Sequence, residues 1–135
     1  MWRTFLSSIN LTLVLSGLAV AFGCATGAAQ AVKLDDVQLT ALLRDVSIET
    51  DPVTYDATEV FYADGEYHVD GRGGVVGTYV VASSRVCVTR PELGAPPSTR
   101  CRMIFRDGAG NLFFTDAEPF ALQRSTPFHV VPVQR

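Results

Sequence analysis

Beyond residue 57 the chain is written in short β-rich runs, each closed by turn residues. Thr58 to Ala63 is the first, and Asp64-Gly65 turns it back into Glu66 to Val69. Gly71-Arg72-Gly73-Gly74 makes a second turn into Val75–Val81, and Ser83-Ser84 a third into Arg85–Arg90. Thr99–Arg106 follows a Pro/Gly-rich stretch, Glu92 to Ser98, which reads as a loop. Asp107 to Asn111 is another glycine-rich turn, and Leu112–Thr115 and Phe120–Gln123 complete the pattern. The tail carries Pro127 and Pro132 and reads as an edge strand or extended segment.

One helix is predicted, from Lys33 to Asp45. Asp35 and Gln38 form a capping box, and Leu39, Leu42 and Leu43 fall on one face. The expected fold is mainly β: a small antiparallel meander of six to seven strands. It forms a curled sheet or a small barrel, with one short N-terminal amphipathic helix against it.

Residues 1–31 differ in kind. Arg3 leads an apolar run from Phe5 to Phe22, no acid precedes Asp35, and Ala29-Gln30-Ala31 is a small-x-small site. This is the pattern of a secretory signal peptide, leaving 32–135 as a single β-rich domain in the periplasm or outside the cell. Two rival readings stand beside it: a lipoprotein acylated at Cys24, and an uncut membrane anchor. A membrane enters only through one of these two.

In the soluble and lipoprotein readings Cys24 is discarded or consumed, and Cys87 and Cys101 remain. An even count in an exported chain points to a Cys87–Cys101 disulfide between neighbouring runs. A two-thiol metal or redox site lacks the spacing, and neither His68 nor His129 is close in sequence to a thiol. No metal and no cofactor is expected.

The net charge of −3 argues against nucleic acid as a partner. It hides an asymmetry: ten acids and two bases from Val32 to Asp70, then four acids and eight bases from Gly71 to Arg135. Arg85, Arg90, Arg100, Arg102 and Arg106 gather in the central runs. A basic surface facing an acidic ligand is one reading, and solvated charges are the plainer one.

The remaining candidates are weak. Glu59, Asp64, Glu66 and Asp70 lie on neighbouring runs and admit an acid/base pair, but a solvated hairpin face is the commoner use. Asp107, Asn111 and Asp116 lack a calcium-loop spacing, so a turn-capping role for Asp107 is expected. The nine Phe and Tyr side chains from Phe61 to Phe128 are expected to fill the barrel.

The helix ending Ala41-Leu42-Leu43 is followed by Phe61-Tyr62-Ala63-Asp64-Gly65, by Gly77-Thr78-Tyr79-Val80-Val81, and by Cys87 and Cys101. This resembles a group of small exported proteobacterial proteins of unknown function. Their pattern is ALL…F-x-x-DG…GTW-x-V…C…C, with Tyr79 standing where Trp is usual. The resemblance covers about residues 34–115. It implies export, a β-rich body and the bridge, and it assigns no catalytic residue.

The leading expectation is therefore a non-enzymatic binding or inhibitory module of the cell envelope. Its partner is an envelope protein or a small ligand met by Tyr67, Tyr79, Arg85, Arg100 and Arg102. A structural or lipid-tethered envelope assembly protein is the alternative, and a small hydrolase comes third. No catalytic residue is assigned.

Overall fold

The computed structural model describes residues 31–50, 58–70 and 74–134. The expected signal peptide, Cys24 and the Gly71–Gly73 part of the second turn lie outside them. Among the described residues no helix is long and apolar enough to cross a membrane.

The strands are β1 (Val32–Lys33), β2 (Val46–Thr50), β3 (Thr58–Phe61), β4 (Glu66–Asp70) and β5 (Val75–Ala82). They continue as β6 (Arg85–Glu92), β7 (Ala95–Arg106), β8 (Leu112–Thr115) and β9 (Thr126–Pro132). From β2 to β9 each strand pairs antiparallel with the next, and β9 returns to pair with β2. The result is a closed, eight-stranded up-and-down barrel, so the expected small antiparallel barrel with one helix is what this chain forms. Closure removes the open edges that a meander would leave. The short β1 lies outside the ring. It pairs with Phe105 and Arg106 at the end of β7, just beyond the point where β6 begins.

The helix α1 (Asp36–Leu42) is shorter than predicted. Asp35 caps it: its carboxylate accepts from the Gln38 N–H, and the Gln38 side chain accepts from the Asp35 N–H. Leu39 and Leu43 are fully buried and Leu42 packs against them, so the apolar face plugs one end of the barrel. The Tyr79 hydroxyl completes the plug. It lies 3.0 Å from the Leu43 carbonyl and 2.8 Å from the Tyr62 carbonyl, and donates to one at a time. Burial, then the nearby Asp45 and Asp64 carboxylates, hold its pKa above the ordinary phenol value.

Inside the barrel, alternate residues form the core. Val46 and Ile48 come from β2, Tyr67 and Val69 from β4, Val86 and Val88 from β6, and Phe114 and Phe128 stack at 4.1 Å. Phe61 makes edge contacts with Tyr67 and Tyr79, at 5.1 and 5.0 Å. Phe105 and Phe113 are an exception to the expected filling. Both pack against Phe120, in the segment after β8, as an aromatic layer that includes none of the lumen residues.

Several local expectations are corrected. Among the described residues nine strands form where the sequence marks six or seven. The two additions at the start are β1 and β2, both short runs beside the helix. Glu92 to Ser98 is not a loop: β6 and β7 continue to a two-residue turn at Leu93-Gly94. The prolines are tolerated there because the ladder shifts register between Arg90 and Glu92, setting Pro96 and Pro97 opposite Pro91. Phe120–Gln123 is not a strand, and Leu122–Arg124 forms a 3-10 turn instead. The tail is no edge: β9 is the strand that closes the ring. Pro127 is paired only with β8 and Pro132 only with β2, so each missing N–H costs one ladder bond at most.

Cys87 and Cys101 sit directly opposite each other on β6 and β7, 3.9 Å apart at Cα, and are joined as a disulfide. Ser83-Ser84 is a turn, as expected. Both residues have positive φ, 54° and 56°, the geometry of a two-residue hairpin turn matched to strand twist.

Candidate functional site

Among the described residues the end of the barrel opposite the helix is open, and its lining is largely polar. The alternation that places Val86 and Val88 inside continues to Arg90. On β7 the same rule places Arg100 and Arg102 below Ile104 on the inner face. Glu59 is two residues before the buried Phe61 and also faces inward. With Asp116 and Arg124 they line a cavity of about 300 Å³. Ile48, Val69 and Phe114 supply its apolar wall, and Thr50, Thr115 and Thr126 its hydroxyls.

The floor of this cavity is built around Arg102. Its Nη2 donates to both Glu59 oxygens, at 2.8 and 2.9 Å. Its guanidinium carbon lies 4.1 Å from the centroid of the Phe114 ring, a cation–π contact. β7 and β3 are four strands apart in either direction around the ring, so this ion pair spans the lumen. The two side chains are 17% and 20% exposed, well shielded but still wetted from the cavity. The Tyr67 hydroxyl donates to the same carboxylate. Burial first, then the Glu59 charge and this hydrogen bond, push the Tyr67 phenol far above its ordinary pKa. The Arg102 and Arg90 charges oppose that shift.

Two of the Arg102 nitrogens, Nε and Nη1, have no acceptor among the described residues, although the head group is held on two sides. Arg90 has no carboxylate partner among them either. The rim is looser. Arg100 pairs with Asp116, the two side chains 67% and 53% exposed. The exposed Arg124 side chain makes a long contact of 3.5 Å to the Pro119 carbonyl.

Of the five residues named from the sequence as candidate binding groups, Tyr67, Arg100 and Arg102 line this cavity. Tyr79 belongs to the plug at the other end. Arg85 opens β6, next to the Ser83-Ser84 turn, where the backbone N–H of Ser84 donates to Asp36 in the first turn of the helix. The five are therefore not one surface. Read from the sequence, Glu59 figures only as one acid of the hairpin group, Asp116 only as an oxygen ligand beside Asp107, and Arg90 only as part of a charge group; Arg124 and the threonines are not named. The period-2 continuation from Val86 and Val88 to Arg90, and from Phe61 back to Glu59, is the signal that finds two of them.

Among the described side chains the acidic hairpin group does not converge. Glu59 is inside, Glu66 pairs with His68 and Asp64 accepts from the Glu66 N–H. His129 pairs with Glu49. Asp107 caps its turn as expected, accepting from the Ala109 and Asn111 N–H groups and from the Asn111 amide. Those bonds, the Asn111 side chain's first, lower its pKa. Among the described residues, no group of three or more His, Cys, Asp or Glu side chains is arranged to hold a metal.

No family model, characterised protein or solved structure matches the chain.

Proposed function

We propose that this chain is an exported, non-enzymatic binding module of the cell envelope, and that it holds a small anionic ligand in the open end of the barrel. The observation that carries this reading is the state of Arg102. Its head is locked by Glu59 and Phe114, yet its Nε and Nη1 donors have no acceptor among the described residues. A donor fixed in advance loses little freedom when it binds, which is how rigid sites gain affinity. Arg90, without a carboxylate partner among the described residues, adds an uncompensated charge beside it.

The architecture suits the role. An eight-stranded barrel is wide enough to be filled by side chains or to hold one small ligand. Here the helix end is filled and the arginine end is not. A cavity of about 300 Å³ lies at the small end of the range for ligand sites. Export rests on the residue 1–31 pattern, with which the disulfide is compatible.

Amide chemical-shift mapping of the mature chain tests this. Titration with phosphate, sulfate, acetate and succinate is expected to move Arg90, Arg102, Phe114 and Thr126 while Leu39 and Tyr79 stay in place. Absence of saturable shifts at the open end with all four anions would overturn the reading.

A further inference from the structure

At the open end the barrel wall is unevenly supported. β5 stops pairing with β6 at Thr89, and β8 pairs with β7 only from Met103 onward. Beyond those points, among the described residues, β6 and β7 pair only with each other. Residues 95–100 are exposed throughout, and so is Leu93 at the tip. A two-stranded ribbon by itself is marginally stable in water. This ribbon nevertheless carries Arg90, Arg100 and Arg102, three of the four arginines of the cavity.

Two of the three have anchors of their own. Arg102 is held by Glu59 and Phe114, and Arg100 bonds to Asp116. Arg90 has no carboxylate partner among the described residues, so the ribbon backbone sets its place. The alternation that turns Val88, Arg90, Arg100 and Arg102 inward turns Cys87, Thr89, Thr99 and Cys101 outward. Two ties therefore cross the outer face of the ribbon at successive positions. One is the Cys87–Cys101 bond, and the other joins the Thr89 and Thr99 hydroxyls, 2.8 Å apart. Arg90 and Ser98 form the next rung, the last before the register shift.

Building on the anion-binding reading above, we propose that the Cys87–Cys101 bond positions Arg90 for the anion, and that a dithiol reductant weakens anion binding by opening it. Both cysteines are partly exposed. One thiolate of the dithiol attacks a cysteine sulfur, and its second thiolate resolves the mixed disulfide. The products are two cysteine thiols and a cyclic disulfide, with two electrons and two protons passed to the protein. The ring stays closed through its ladders, the β2–β9 seam included, but the ribbon is free to twist. Arg90 must then be ordered as the anion binds, and that ordering counts against affinity.

Affinities for phosphate, sulfate, acetate and succinate, measured for the oxidised protein, the dithiothreitol-reduced protein and Cys87→Ala/Cys101→Ala, test the assignment. Reduction and the double variant are each expected to weaken binding about tenfold, with an unchanged circular dichroism spectrum. In Arg90→Gln, reduction is expected to change affinity less than twofold, because the group it displaces is gone. Thr89→Val/Thr99→Val keeps the covalent bond and cuts only the milder tie. It is expected to weaken binding severalfold, and it decides the matter if the reduced protein does not fold.

Equal affinities with the bond closed and open overturn the positioning role and leave the bond a stabilising crosslink alone. An undiminished effect of reduction in Arg90→Gln overturns it as well. In both cases the anion-binding reading stands. If the oxidised protein binds none of the four anions, both fall.

Discussion

Arg102 and Glu59 meet across the lumen from diametrically opposite strands, with Nη2 2.8 and 2.9 Å from the two carboxylate oxygens. This pair is the boundary between the apolar half of the barrel and the open half. Removing one partner strands the other charge in a shielded site. For fully buried pairs that costs ~3–5 kcal/mol, and wetting from the cavity brings the expectation to about 2–3 kcal/mol. Glu59→Leu is expected to lower the urea midpoint accordingly. Glu59→Leu with Arg102→Leu is expected to regain most of the loss, since two apolar groups leave no orphaned charge. A double variant as unstable as the single one would show that the pair itself, not the stranded charge, sets the cost.

The disulfide closes a short loop between strands that already pair, with 14 residues of separation. The chain-entropy model gives about 3 kcal/mol for a loop of this length. Urea unfolding of Cys87→Ala/Cys101→Ala is expected to show a loss near that value with an unchanged fold by circular dichroism. Intact mass of the native protein is expected to be two hydrogens short of the dithiol form. A dithiol mass would remove the crosslink from the account.

Gly77 is where β5 comes closest to β6. A Cβ there would stand 2.3 Å from the Thr89 carbonyl oxygen, and a carbonyl in a ladder cannot swing away. Gly77→Ala is expected to cost about 1–3 kcal/mol through forced backbone shifts. Gly108→Ala is the control: its Cβ meets nothing within 4 Å, and its φ is not in the left-handed region. Thermal melts of the two variants should separate clearly, and equal melting temperatures would contradict the close approach.

Tyr67 and Tyr79 both have pKa values raised above the phenol reference of 10.0. Below pH 10 both are protonated in the folded and unfolded chains, so they add no pH dependence there. Above it the unfolded chain gives up its protons first, and stability falls as pH rises. Ultraviolet titration is expected to show these two phenols ionising only together with alkaline unfolding. In Tyr67→Phe the decline is expected to be shallower. Ionisation of all tyrosines near pH 10 in a still-folded protein would contradict their burial.

The parts of the structure legible in the sequence were those set by local chemistry. Asp35 and Gln38 announced the capping box, Asp64-Gly65 and Ser83-Ser84 announced turns, and Cys87 with Cys101 announced a crosslink. The misread segments were those where a neighbour overrode a local rule. Pro91, Pro96 and Pro97 argue for a loop, but the register shift between β6 and β7 absorbs them. Pro127 and Pro132 argue for an edge, but each lies where β9 has one paired neighbour. The site was only half visible. Arg100 and Arg102 stood out as charges, whereas Glu59 looked like one acid among four on a hairpin.

By itself the sequence determined the class of fold, the capped helix, the crosslinked pair and the crowding of arginines in the second half of the domain. These follow from period, turn chemistry and composition, which act between residues near each other along the chain. Only the tertiary structure decided that the meander closes, that β2 and β9 seal it, and that Arg102 faces Glu59 across the lumen. Closure is a relation between residues 46–50 and 126–132, far apart in the chain, and no local preference encodes it. Once the ring is closed, alternation sends Arg90, Arg100 and Arg102 inward, and a scattered set of charges becomes one cavity.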